Sequence, residues 1–347
     1  MKGRLTIQEI REQPDALARF MDTESRAVRA AGEALRRRPL RGVVLAARGS
    51  SDNAALYGHY LIETMLGLPV ALASPSVVTI YRRTPRLNNM LVVGLSQSGR
   101  SPDIVEYLRA ARRAGARTLA ITNDPRSPLA AAAHHTVFLR VGPERSVAAT
   151  KTYTAQLTAL SLLVGWAASD RRLVEAHRRL PELIAAALDR EEAVGRVARA
   201  ARRMERCLVT SRGYNYATAR EAALKLKETS YVAAEPLSSA DLLHGPIAVV
   251  GPRFPVVVVG PPGRVRPHLL RIMRHLAARG ARTIAATADR EFAALATAVL
   301  PAPPVDDERL SPHVLIVPLQ LFAYHLALAR GFDPDRPRGV RKITRVL

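Results

Sequence analysis

The sequence predicts an α/β protein in which a doubly wound parallel sheet is built twice in tandem. Two observations carry this expectation. Short, dense apolar runs alternate with longer stretches whose apolar residues recur at helical spacing. The chain also repeats itself. Gly115–Asp124 returns as Gly280–Asp289, an offset of 280 − 115 = 165. Val43–Gly49 resembles Cys207–Gly213, with Arg48 and Arg212 separated by 212 − 48 = 164. Two unrelated segments at nearly one offset indicate duplication of a whole domain rather than a chance likeness of one strand.

The first half reads as strands at 43–47, 90–95, 117–122 and 136–141, and the second as strands at 207–210, 255–260, 281–287 and 297–300. Continuous apolar runs of this length suit parallel strands buried on both faces. Helical spacing covers 53–66, 102–114, 151–168 and 264–279, and Pro102 after Ser101 suits a first helical turn. The expected organisation is a helical lead-in over 1–38, one domain over 39–195, a second over 196–331, and a tail over 332–347 with little structure of its own.

Composition narrows the function classes. The 347 residues are 48% hydrophobic and 24% charged, as in a globular chain of two ordinary domains. No apolar run is expected to reach the roughly 18 residues of a membrane helix. The first residues lack the apolar block of a secretory signal, and the one cysteine, Cys207, cannot build a disulfide framework, so the cytoplasm is the expected compartment. The net charge of +22 raises nucleic acid as a partner. The arginines are spread along the chain, however, with no aromatic-interleaved basic patch and no zinc spacing. A solvated basic surface that attracts phosphorylated substrates accounts for the charge, and no nucleic-acid or membrane partner is expected.

Leu91–Asp103 is the sharpest local signal. A buried strand ends, Ser96, Gln97, Ser98 and Ser101 follow around Gly99, and a helix begins. Helix N-termini offer unpaired N–H groups and a positive dipole end, so this arrangement suits an anion. Without a Walker lysine it fits a sugar phosphate better than a nucleoside triphosphate. A second loop, Arg48–Asn53 with Ser50 and Ser51, also lies between a strand and a helix. Loops beyond the carboxyl ends of neighbouring strands can converge on one ligand. Helix capping by serine explains either loop equally well. In the second half Pro261-Pro262-Gly263 stands at the matching place, so one phosphate site per chain is expected.

Together these segments resemble the sugar-isomerase (SIS) double-domain family, in particular the isomerase half of glutamine–fructose-6-phosphate amidotransferase. The matching stretches are Leu95–Gly99, Val147–Leu157, Glu221–Glu228, His244–Pro246 and Asp335–Lys342, in the family's order over almost the whole chain. The resemblance implies flavodoxin-like or Rossmann-like SIS domains and phosphosugar chemistry; no ligand cluster of metal-site spacing is present in the sequence, so no metal or organic cofactor is expected. The chain starts directly at the isomerase half, without the family's glutaminase domain and its leading cysteine, so it is expected not to draw ammonia from glutamine. Arg100-Ser101 stands where the synthase usually has Glu-Thr, as in stand-alone relatives that include SIS-type glucosamine-6-phosphate deaminases and fructosamine-phosphate deglycases.

Moving a proton between C1 and C2 of an open-chain sugar needs a positioned base. The resemblance assigns this to Glu228. Glu221, Lys225 and Glu228 lie at i, i+4 and i+7 on one helical face, and Lys225 can set the charge around Glu228. The same spacing also describes a surface ion-pair stripe. By resemblance His244 assists ring opening from a neighbouring subunit, implying a homodimer, and Val147 joins Ser50, Ser51, Ser96, Gln97, Ser98 and Ser101 in binding substrate. Lysine occurs only at 2, 151, 225, 227 and 342, four of these in the matching stretches. Lys342 stands out because a Schiff base to a sugar carbonyl needs an amine that can lose its proton, which arginine cannot do. The tail around it is expected to close over the site, although a loose basic tail is the alternative.

The expected function is an aldose–ketose isomerase acting on an amino-sugar phosphate, converting glucosamine 6-phosphate to fructose 6-phosphate and ammonia. A deglycase, or a dehydratase using C2 proton abstraction on an N-acylated sugar phosphate, shares the chemistry. A sensor that binds the sugar phosphate without turnover is the rival of another class. It would need the serine loops but not Glu228, His244 and Lys342 together.

Overall fold

The chain's structure, a computed structural model, describes residues 2–37, 39–340 and Lys342. Two five-stranded parallel sheets are present. The first contains β1 (Gly42–Ala46), β2 (Val70–Leu72), β3 (Met90–Ser96), β4 (Arg117–Thr122) and β5 (His135–Phe138), in the order β2-β1-β3-β4-β5. The second contains β6 (Arg206–Ser211), β7 (Ala233–Ser238), β8 (Pro255–Gly260), β9 (Arg282–Thr287) and β10 (Ala298–Pro301), in the order β10-β9-β8-β6-β7. Counted within each half, both sheets follow the order 2-1-3-4-5 of a flavodoxin-like doubly wound sheet. The duplication seen in the sequence is thus a duplication of topology.

Two strands escaped the sequence reading, β2 and β7, and they occupy the same edge position in the two sheets. An edge strand lacks the continuous apolar run that marks a buried one. Val70–Leu72 is three residues long and only half-buried. Ala233–Ser238 is fully buried only at Ala234 and carries Pro236, which removes a ladder donor and is tolerated at an edge. The central strands β3, β4, β8 and β9 are buried from their second residue to their last.

By contacts the described chain falls into two compact units. One comprises residues 15–144 and 151–178 with Lys342, and contains the first sheet. The other comprises residues 2–14, 145–150 and 179–340, and contains the second sheet. Helices Arg4–Arg11 and Gln13–Arg36 form the lead-in.

In the first-sheet unit Val44, Ala46, Val92 and Ala120 pack on Ile104 and Leu108 of the helix Pro102–Arg113. On the other face Gly58 of the helix Ser50–Leu66 lies against Leu45 and Leu160. The helices that follow β1 and β3 therefore cover opposite faces, and the gap between these strands' carboxyl ends is the topological switch point.

One expectation from composition fails. The segment Glu308–Ala329 is long and apolar enough to cross a membrane, with a mean hydropathy of 1.4. Yet 83% of its apolar window is buried inside the protein. Its helix, Ser311–Ala329, packs on Tyr214–Ser230, with Ser230 Oγ donating to Ala323 O at 2.9 Å and Asn215 Nδ2 to Ser311 Oγ at 2.7 Å. A helix apolar all round is what the centre of an α/β layer requires.

Candidate active site

The two serine loops sit at the switch point of the first sheet. Gly49 is the N-cap of Ser50–Leu66, with φ 56° and ψ −133°, a conformation only glycine adopts readily. Ser50 and Ser51 occupy the first helical turn, and Ser51 Oγ accepts from Gln156 Nε2 at 2.9 Å. The N-cap itself is a glycine and offers no side chain to the first N–H groups. Ser101 is the N-cap of Pro102–Arg113, but its hydroxyl makes no capping bond either. Capping, the competing explanation for the serines, thus does not hold at Ser101.

The turn between them is braced from within. Ser96 Oγ accepts from Gly99 N at 3.1 Å, and Ser98 Oγ from Arg100 N at 3.3 Å. The Gln97 carbonyl receives Thr122 Oγ1 at 3.2 Å and Asn123 N at 3.0 Å. Gly99 has φ 61°, and a Cβ there would collide with the Ser127 side chain. An ion pair then joins the two loops: Arg48 Nε lies 2.8 Å from Asp103 Oδ2. Asp103 Oδ1 also accepts from Ile104 N at 2.9 Å. The sequence reading missed the Arg48–Asp103 pair, because nothing local to either residue marks a partner 55 positions away. A second pair, Arg100 to Asp124 at 3.0 Å, flanks the turn. The Arg126 N–H and the Arg100 guanidinium hold the Asp124 carboxyl below its ordinary range.

Lys342 lies in this unit, with Nζ 3.4 Å from Glu144 Oε2. It is a paired residue rather than a loose basic one. Glu144 is fully buried; its Oε1 accepts from Thr152 N at 3.2 Å, and its carbonyl receives Gln97 Nε2 at 3.5 Å. Glu144 therefore contacts the serine loop, the lysine and the start of the helix Lys151–Ala167. It too was missed, its lysine being 198 residues away. The rest of the tail, 341 and 343–347, lies outside the described residues.

The second-sheet unit carries the other candidates. Helix Tyr214–Ser230 places Lys225 Nζ 2.6 Å from Glu228 Oε2 and 3.4 Å from Glu221 Oε1. Side-chain exposure is 3% for Lys225, 0% for Glu221 and 21% for Glu228. A surface stripe is excluded, since two of the three charges are inside the protein. Burial opposes the charge on Lys225, but the Glu221 and Glu228 carboxylates outweigh it and raise its pKa above that of a free lysine. Lys227, between buried Leu226 and half-buried Glu228, is exposed.

His244 follows the short helix Ser239–Leu243 and is exposed, and its N–H donates to Asp241 O at 3.0 Å. Gly245, at φ 121°, turns the chain sharply after it. Leu243 and Val249 beside it are 43% and 57% exposed. Val147 belongs to the 145–150 loop of this unit. Cys207 is core: burial pushes its thiol up to about 12.

The second sheet repeats the switch-point geometry but fills it. Gly213 (φ 62°, ψ −139°) reproduces Gly49, and Thr287 Oγ1 donates to the Gly260 carbonyl at 2.8 Å as Thr122 does to Gln97. At the matching turn the Glu308 carboxylate accepts from Arg264 N at 2.6 Å. Burial pushes this carboxyl up, against the pull of the Arg264 and Val265 N–H groups. A carboxylate of the chain itself stands where the first sheet has a serine-lined turn.

A family model described as "SIS domain" matches residues 40–165 and again residues 202–330. The chain belongs to the SIS-domain family. A protein from Silicibacter pomeroyi, assigned as a phosphosugar isomerase, has a crystal structure that aligns with a TM-score of 0.87 at 38% identity, covering 96% of this chain and all of that one. The C-terminal domain of glucosamine-fructose-6-phosphate aminotransferase from Francisella tularensis aligns with a TM-score of 0.87 at 27% identity, covering 96% and 98%. Among curated proteins, the glutamine--fructose-6-phosphate aminotransferase [isomerizing] of Methanothermobacter thermautotrophicus is 36% identical over 98% of this chain. The chain spans 57% of that relative's length.

Proposed function

We propose that this SIS chain is a phosphosugar isomerase acting on an amino sugar, and that it converts glucosamine 6-phosphate and water to fructose 6-phosphate and ammonia. The observation that carries the reading is the Glu228–Lys225 pair. A carboxylate held at 2.6 Å by a buried ammonium keeps one orientation, and its partial exposure leaves an edge for substrate. The relatives' named chemistry, on hexose 6-phosphates and their amino derivatives, supports the substrate class.

In this mechanism Ser50, Ser51, Ser96, Gln97, Ser98 and Ser101 hold the phosphate, with Val147 against the sugar. His244 and Lys342 open the ring. Glu228 takes the C2 proton; the C2–H electron pair becomes a C1=C2 bond, and the carbonyl oxygen gains a proton. Returning the proton to C1 leaves an imine at C2. Water adds to the imine, the C–N bond breaks, and ammonia leaves. Every step is reversible, so the same residues would aminate fructose 6-phosphate at high ammonia.

The first test is ammonia release by the purified protein from glucosamine 6-phosphate. Steady release is expected, and Lys342→Arg, which retains a positive charge opposite Glu144, is expected to lose most of it without a fall in Tm. No release from the native chain, with glucosamine 6-phosphate still bound, would overturn the deaminase reading.

His244, on an exposed turn between exposed Leu243 and Val249, supports a homodimer in which it serves the partner's site. Glu228→Gln and His244→Ala proteins, each inactive alone, are then expected to regain about a quarter of native activity when subunits exchange, one complete site per mixed dimer. A mixture that stays inactive although mixed dimers form would refute the crossing.

A further inference from the structure

The helix Arg4–Arg11 lacks a cap of its own. Its N-cap is Gly3, at φ 70°, with no side chain to accept the first N–H groups. These groups are met from the other end of the sequence. Asp333 Oδ1 accepts from Gly3 N at 2.9 Å, and Asp335 accepts from Leu5 N at 2.9 Å and Thr6 N at 2.8 Å. Thr6 Oγ1 adds a bond to Asp335 Oδ1 at 2.7 Å. Two carboxylates at a helix N-terminus are favourably placed by the helix dipole.

One turn further along, this helix holds a different segment. Glu9 is only 4% exposed. Its carboxylate accepts from Arg145 N and, at 3.1 Å, from Ser146 N. Ser146 Oγ in turn donates to Ala148 O at 2.9 Å, which sets the loop on both sides of Val147. Thr6 Oγ1 lies 3.4 Å from Ser146 Oγ, so one side chain touches both attachments. A buried carboxylate that spends both oxygens on two successive backbone N–H groups fixes the course of the chain there. Residues 145 and 146 directly follow Glu144, the partner of Lys342, and Asp335 precedes Lys342 by seven positions.

We propose that the first helix is a splint for the reaction, in which Glu9 is the positioning residue of the 145–148 loop and Asp335 that of the root of the tail carrying Lys342. This rests on the isomerase reading above. Neither residue is assigned contact with the substrate; each acts through the segment it holds. The two attachments have separable consequences. Loosening the loop disturbs a wall of the sugar site, in ground and transition states alike, and appears in KM. Loosening the tail root misplaces an amine needed for ring opening and appears in kcat.

The experiment compares Glu9→Ala, Glu9→Gln, Asp335→Ala and Asp335→Asn in the full chain. With glucosamine 6-phosphate, Glu9→Ala is expected to raise KM about tenfold with little change in kcat. Asp335→Ala is expected to lower kcat about tenfold at nearly constant KM, as small misplacements of positioned groups do. Glu9→Gln, which keeps one acceptor oxygen, is expected to recover part of the KM. Two further readouts need no turnover. Fructose 6-phosphate titrated calorimetrically into Glu9→Ala is expected to bind about tenfold more weakly. Trypsin is expected to cut after Arg338 faster in Asp335→Ala than in the native chain. Equal kinetic losses in both alanine variants that merely follow their Tm would reduce the helix to a stability element and overturn the proposal. If the native chain releases no ammonia, the deaminase reading fails alone, and the splint still stands or falls on sugar-phosphate affinity and cleavage rate.

Discussion

Replacing Glu228 with Gln is expected to lower turnover of glucosamine 6-phosphate by about 10²–10⁴, the usual contribution of a positioned general base. Sugar-phosphate binding is expected to change little. The substituted side chain has nearly the same shape, and the serine loops belong to the other unit. Its amide oxygen can still accept from Lys225, and Glu221 still balances the ammonium. The variant is therefore expected to fold, bind and fail in chemistry. Single-turnover measurements with C2-deuterated substrate give the direct check. The native chain should show slower proton removal from the deuterated sugar, and the variant should have lost that step. A Glu228→Gln protein that releases ammonia within a few-fold of the native rate would remove Glu228 from the role of base.

Replacing Lys225 with Met is expected to destabilise the fold by about 3–5 kcal/mol, a large share of the 5–15 kcal/mol typical of a domain. The cost arises from what remains. Glu221 is fully buried, and without the ammonium its negative charge has lost a partner that solvent cannot replace. A double variant, Glu221→Gln with Lys225→Met, is expected to recover part of the loss by removing the stranded charge. Urea unfolding of the two variants decides the matter. A single variant within about 1 kcal/mol of native would show that the triad does not hold the helix. The pH dependence has a definite sign. The folded Lys225 pKa is raised, so its stabilisation is present in full below the unfolded lysine value of about 10.4 and lost only as pH rises through the folded value. Stability measured from neutral pH to pH 10 should show no loss from this group.

Much of this could be read along the chain because it depends on local order. A parallel strand buried on both faces must be apolar throughout, so the central strands of both sheets announced themselves in Leu91–Leu95 and Pro255–Val259. Their edge neighbours, β2 and β7, did not, since a half-exposed strand lacks that run. The duplication was visible as an offset near 164 and returned as one strand order used twice. Apolarity alone misled at Glu308–Ala329, where composition cannot separate a membrane helix from a helix at the centre of a layer.

Lysine usage carried further than any single motif. In a chain that places arginine almost wherever a cation suffices, Lys225 and Lys151 proved to be buried, where a compact ammonium fits a small polar niche. The sequence by itself determined the fold class, the serine turns and the i, i+4, i+7 relation of Glu221, Lys225 and Glu228, because each follows from backbone periodicity or from neighbours a few residues apart. The tertiary structure alone decided that Glu221 and Lys225 of this last trio are buried, that Arg48 ties the two serine loops through Asp103, that Glu144 receives Lys342, that Glu308 fills the second sheet's turn, and that Glu9 and Asp335 tie the first helix to two distant segments. Apart from the trio's burial, each of these is a charged group meeting a partner distant in sequence. Coulomb attraction and desolvation depend on distance and burial in space, and local sequence patterns record neither.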